Sequence, residues 1–203
     1  LEGSNLEEYV AKYRQGGMTQ GEVRLVIRDV LRGLAFLHHL GVLHRDVKPA
    51  NVFVEHDAHG TVRGAKVIDV GSGRLFPADS RGAVECGVAL TRSVDGSPIY
   101  NMCPSVEQGN GYGADCDLWG AGNVLYYAAT GRNLVASNAA TYRRDKLAIW
   151  ENCSCPGYRF QGVVSDDVNF ILQSLLTKDN RNEGQRNAAA DILEDYWFTS
   201  LSS

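Results

Sequence analysis

The chain reads as an α+β domain dominated by helices, with one small β element and a long irregular segment between them. Three observations carry that expectation. Thr19-x-x-Glu22 is a capping box, and behind it Val23, Val26, Ile27, Val30, Leu34 and Leu37 recur at helical spacing. Short β-branched runs over Val52–Val54 and Ala65–Ile68 flank the turn-rich string EHDAHGTVRG, which predicts a small hairpin. After Gly113, ADCDLWGAGNVLYYAATG is apolar or small nearly all round a helix, the pattern of a buried one that Gly131 ends.

In the first helix, Arg24, Arg28, Asp29 and Arg32 fall mostly on the face opposite the apolar stripe, and the arginines are expected to be solvated. Gly41 supplies the stop, and His38 and His39 stand where a cation complements the helix dipole. From Gly71 to Gly96 the composition turns to Gly, Ser, Arg and Asp without a period, and irregular segments of that length are usually functional. Two more amphipathic helices are expected, about Asp166 to Lys178 with Ser165 as N-cap and about Ala188 to Asp195 with Asn187 as N-cap.

At 203 residues, 44% hydrophobic and 22% charged, the chain suffices for one globular unit and is neither collagen-like nor disordered. A net charge of −4 gives no basic surface for nucleic acid or anionic lipid, so neither partner is expected. No apolar stretch approaches the 18 or more residues that a membrane span needs. Five cysteines, an odd number without a CxxC pair, fit a reduced chain, and a cytoplasmic location is expected. The opening LEGSNLEEYV has neither the basic region nor the apolar core of a signal peptide, and a start at Leu1 reads as a fragment of something longer.

The chemistry concentrates in HRDVKPAN, His44 to Asn51, between the first helix and the first strand. Phosphoryl transfer needs a carboxylate to orient the acceptor hydroxyl and take its proton. It also needs oxygen ligands for a metal that holds the phosphates, and a cation to offset charge on the transferred group. One loop here supplies all three residue types. The string resembles the catalytic loop of the eukaryotic-type protein kinases. That resemblance implies Asp46 as base, Lys48 reaching the transferred phosphate, and Asn51 as a magnesium ligand, while Lys two places after Asp46 resembles the serine/threonine type. DVG, Asp69 to Gly71, is similar to the family's metal-binding DFG with Val70 in place of Phe, and implies a second magnesium ligand in Asp69. The nucleotide-binding set so implied is Lys48, Asn51, Phe53 and Asp69, and the cofactors are ATP and Mg2+.

GSPIYNMCPS, Gly96 to Ser105, resembles the family segment that forms a wall for the substrate, with one extra residue and with Ser105 where a Glu usually stands. The resemblance places Ser97 near Asp46 and Lys48, and suggests a pair between Glu107 and Arg186. Arg45 is implied to grip a phosphate on the activation segment, where Ser93 is the first choice and Thr91 the second. Asp117, Trp119 and Gly122 fit the DxWxxG at the start of the family's central helix, with Asp117 a structural acceptor for backbone around His44 and Arg45.

No GxGxxG string occurs in the chain, nor does the strand lysine that it accompanies. The expected fold is therefore the mainly helical carboxy-terminal lobe of a protein-kinase-like fold, residues 1 to 203, with the amino-terminal lobe a missing partner. The expected function is transfer of the ATP γ-phosphate to a Ser or Thr hydroxyl of a protein substrate, the chain alone being inactive. The alternative is a catalytically dead lobe used as a docking or scaffold module. A small-molecule phosphotransferase fits less well, because Arg45 stands where those typically carry Gly. His56, Asp57 and His59 sit in one turn with no fourth ligand and are read as turn residues, and Cys153 and Cys155 are too few for a zinc site.

Overall fold

The computed structural model describes residues 2–75, 103–107, 113–135, 141–163, 165–177 and 189–199. The elements are β1 (Gly3–Asn5), α1 (Leu6–Tyr13), α2 (Gln20–His39), β2 (Val42–Leu43), β3 (Val52–His56), β4 (Val62–Val67) and β5 (Arg74–Leu75). There follow α3 (Pro104–Glu107), α4 (Ala114–Thr130), α5 (Tyr142–Asn152), α6 (Asp166–Leu176), α7 (Ala189–Leu193) and α8 (Tyr196–Thr199). Helices thus make up most of the described fold.

Both arms of the capping box form at α2: Thr19 Oγ1 accepts from Glu22 N–H, and the Glu22 carboxylate accepts from Thr19 N–H at 3.0 Å. The Arg14 guanidinium forks onto the same carboxylate, and the Tyr9 hydroxyl donates to it at 3.2 Å. Burial pushes the Glu22 carboxyl up, but Arg14 and Thr19 together override that and hold it down at about 2. The start of α2 is consequently tied to α1 by charge as well as by its cap. Beyond it, Val23, Val26, Ile27, Val30, Leu31 and Leu34 are buried against α4, whose own residues from Cys116 to Tyr126 are all buried. Gly41, at φ 71°, turns the chain out of α2 into β2.

The expected hairpin is present but belongs to a larger arrangement. β3 and β4 pair antiparallel with Val54 opposite Ala65, and β1 adds to the free edge of β3 with Ser4 opposite Val54, giving the order β1-β3-β4. A separate ribbon joins β2 to β5. Strands of two or three residues carry no readable period, which is why β1, β2 and β5 escape the sequence reading. The strands of the hairpin run to His56 and from Val62, and the turn between them is closed by the Asp57 carboxylate, which accepts from His59 N–H and Thr61 N–H at 2.9 Å each. The backbone donors Thr61 and His59 and the Arg63 guanidinium hold that carboxyl down at about 2. His56, the last residue of β3, packs against both the Tyr9 and Tyr13 rings, which also touch each other.

Three expectations need correction. The polar face of α2 is not a solvated one throughout: Arg28 and Asp29 are half-buried, and the Asp29 carboxylate accepts from Ala65 N–H at 3.1 Å, so β4 covers that face. The helix expected to reach Lys178 ends at Leu176, because Thr177 is extended at φ −71° and ψ 147°. The helix expected to run to Asp195 ends at Leu193, and the Asp195 carboxylate instead caps α8 by accepting from Trp197 N–H at 2.8 Å. Asn187 and Ala188 lie outside the described residues. Among the described residues no helix is long and apolar enough to cross a membrane.

Candidate active site

The loop from His44 to Lys48 runs between β2 and a 3₁₀ turn over Pro49–Asn51 that delivers the chain into β3. Its shape requires support, because Arg45 is a non-glycine residue at φ 70°, a backbone region that costs of order 1–3 kcal/mol. The support is Asp117 in the first turn of α4, 1% exposed. Its two carboxylate oxygens accept from His44 N–H at 2.9 Å and from Arg45 N–H at 2.8 Å, the two successive donors that lead into the strained residue. His38 Nε2 donates to Asp117 at 2.8 Å. His38 stands in the last turn of α2, as read, and is in addition buried and part of the brace.

The loop also rests directly on α4. A side chain at Gly120 would place its Cβ 2.6 Å from the Val47 carbonyl, so only glycine lets the two backbones come this close. Trp119 is buried in the core beside it, and its indole N–H has no hydrogen-bond partner among the described residues.

Within the loop, Lys48 Nζ donates to Asp46 Oδ2 at 2.7 Å. Asn51 Nδ2 donates to the same oxygen at 2.8 Å and to the Asp46 carbonyl at 2.9 Å. Asp46 thus has its orientation set by a cation and an amide, and the Asp46 and Lys48 side chains are only 14% and 20% exposed. The Asn51 amide spends its N–H2 on Asp46, which leaves its oxygen as the atom able to meet a hard cation.

Asp69 reaches the site through β-sheet register. Val52 pairs with Val67, Ile68 N–H donates to the Asn51 carbonyl at 2.9 Å, and Asp69 is the next residue. His44 bridges the two stretches: its Nδ1 accepts from Asp46 N–H at 3.3 Å and its Nε2 donates to the Ile68 carbonyl at 3.0 Å, a pair met by the tautomer protonated on Nε2. Asp69 itself is exposed at φ 63°, and its carboxylate accepts only a 3.3 Å bond from Gly71 N–H among the described residues. Val70 is 55% exposed. Phe53, on β3, is half-buried with its ring against Gly3 of β1.

Asp46, Lys48, Asn51 and Asp69 are therefore gathered along one stretch, with His44 and Asp117 behind them. Ser93, Thr91, Ser97 and Arg186 lie outside the described residues, as does the Glu107 side chain, so the pairing of Glu107 with Arg186 and the activation-segment assignments have no geometry here. Sequence reasoning missed His38 and Gly120. His38 stood four residues beyond the buried Leu34, on the apolar stripe, and that periodicity was the signal available for it.

The comparisons with known proteins identify the family. The chain is 30% identical over 202 residues to a protein of Oryza sativa subsp. japonica named as a CBL-interacting protein kinase 27, covering 98% of this chain and 44% of that one. It is 26% identical over 207 residues to the RAC-beta serine/threonine-protein kinase A of Xenopus laevis, covering 96% and 38%, and 26% identical to the human RAC-beta serine/threonine-protein kinase, covering 96% and 39%. The chain spans less than half the length of these curated relatives. The model of the protein kinase domain matches residues 1–198, nearly the whole chain and with it every group of the braced loop, and this chain belongs to the protein kinase family.

Proposed function

We propose that the chain is the larger, helical lobe of a serine/threonine protein kinase, carrying the base and the metal ligands of an ATP- and Mg2+-dependent phosphoryl transfer. The observation that carries this reading is the geometry of Asp46, a carboxylate oriented at once by Lys48 and Asn51 and standing on a loop that Asp117 holds in a strained conformation. A docking module has no chemical use for that arrangement.

In this reading Asp46 orients the acceptor hydroxyl of a protein Ser or Thr and takes its proton as the oxygen attacks. Lys48 offsets charge on the transferred group. The Asn51 amide oxygen and the Asp69 carboxylate, both hard oxygen donors, suit magnesium, and they would hold it; the bound metal neutralises charge on the ATP phosphates. Phe53 belongs to the nucleotide side of the same stretch.

Asp46→Asn in the full-length protein tests the reading. Phosphorylation of a serine peptide is expected to fall by roughly 100-fold or more, the usual scale for a general base. Near-normal turnover would reject the assignment and leave the docking module as the better account. The 203-residue chain alone is expected to bind Mg-ATP weakly or not at all, and micromolar affinity by calorimetry would overturn that expectation.

A further inference from the structure

We propose that Cys103, Asp115 and Cys116 form a binding site for a thiophilic divalent cation, zinc(II) first among them. The donor atoms of the three side chains all lie within 4.8 Å of one another. A tetrahedral zinc with Zn–S bonds of about 2.3 Å places two sulfurs about 3.8 Å apart, so the side chains need close in by only about an ångström. Two thiolates and a carboxylate are a donor set that zinc accepts and that magnesium, which takes oxygen alone, does not. This separates the cluster chemically from Asn51 and Asp69.

Asp115 and Cys116 lie in the first turn of α4, a 17-residue helix whose amino-terminal end carries partial positive charge. Both cysteines are buried and Asp115 is half-buried, which keeps the sulfurs from bulk oxidants while leaving the carboxylate near the surface. Three protein donors leave a fourth tetrahedral position for water. A disulfide between the same cysteines is the weaker reading. Cys103 and Cys116 are both free thiols in the structure, and Asp115 stands with them as a third donor. A divalent cation supplies the charge that displaces the proton.

The consequence is mechanical. Cys103 lies at the end of the segment that the sequence assigns to the substrate wall, and Cys116 immediately precedes Asp117, which braces the catalytic loop. A cation between them joins the two. The donors themselves do not depend on the kinase reading.

Cadmium is the probe, since its thiolate bonds absorb in the ultraviolet, and the chain is kept reduced in a background of Cys86→Ser and Cys155→Ser. One equivalent is expected to bind with a thiolate-to-cadmium band. The band should fall by at least half in Cys103→Ala or Cys116→Ala. Asp115→Asn, which keeps both thiols and changes a half-buried position, should weaken binding at least tenfold. Zinc should raise the urea midpoint of the chain and do so less in Asp115→Asn. Absence of the band, its persistence at full strength in the double Cys103→Ala, Cys116→Ala chain, or an unaltered affinity in Asp115→Asn each overturns the site. So does recovery of a Cys103–Cys116 disulfide from a chain that takes up no cadmium when reduced.

Discussion

The loop around Asp46 and the turn at Asp69 are neighbours joined by one sheet register, yet they are built in opposite ways. Each contains a non-glycine residue in the left-handed region, Arg45 at φ 70° and Asp69 at φ 63°. At Arg45 that conformation is enforced from outside by Asp117, His38 and the close approach of Gly120 to Val47. At Asp69 the described support is one long hydrogen bond to its own turn, and Val70 beside it is exposed. Asp and Asn tolerate this region better than most residues, so the turn can form with little help. The Asp46 side is thus preorganised by the fold, while the Asp69 carboxylate owes little to it.

Several substitutions break or sharpen that contrast. The largest effect is expected from Asp117→Ala, which orphans two backbone N–H donors, one buried and one partly buried. At about 1–3 kcal/mol each, the chain should lose about 2–6 kcal/mol by urea unfolding. Gly120→Ala comes next: overpacking against the Val47 backbone should cost about 1–3 kcal/mol. A fully stable Gly120→Ala chain would mean that the loop is not pressed onto α4.

A brace away from the site serves as a control. Glu22 is held down at about 2, against an ordinary value near 4.5, so its contribution is complete above about pH 4.5 and is lost as pH falls through 2. Unfolding measured from pH 6 to pH 2 should show that loss in the parent chain and a smaller one in Glu22→Gln, whereas the cost of Asp117→Ala should be present already at pH 6. The smallest effect is expected at the other half of the comparison. Asp69→Asn should stay within about 0.5 kcal/mol of the parent, the usual range for exposed positions, and a loss above 2 kcal/mol would show that the turn is braced after all.

Much of this was legible beforehand where the signal is local. The capping box at Thr19 and Glu22, the N-cap at Ser165 and the stop at Gly131 are each fixed by neighbours within four residues, and each stands as read. The Asp57 turn followed from its own composition, since a short carboxylate side chain reaches backbone donors two and four residues on. What failed depended on packing between distant segments, His38 alone having a periodic signal along α2. β1 is three residues long and exists because β3 offers an edge. Asp29 and His38 look like ordinary surface and helix-end polar groups until β4 and α4 pack over them.

The motif HRDVKPAN by itself determined which groups could carry the chemistry, because residue types and spacing within eight positions decide what a single loop can present. It could not determine how that loop is held. Asp117 lies 72 residues beyond Arg45, His38 six residues before His44, and the partner of the His44 ring is a carbonyl 24 residues away, so their convergence exists only once α2, α4 and the sheet have packed. The same holds for Cys103 and Cys116, unremarkable in sequence without a CxxC pair, whose donor atoms meet at the start of α4. Local chemistry follows from neighbours along the chain, and preorganisation follows from burial, which only the tertiary fold can supply.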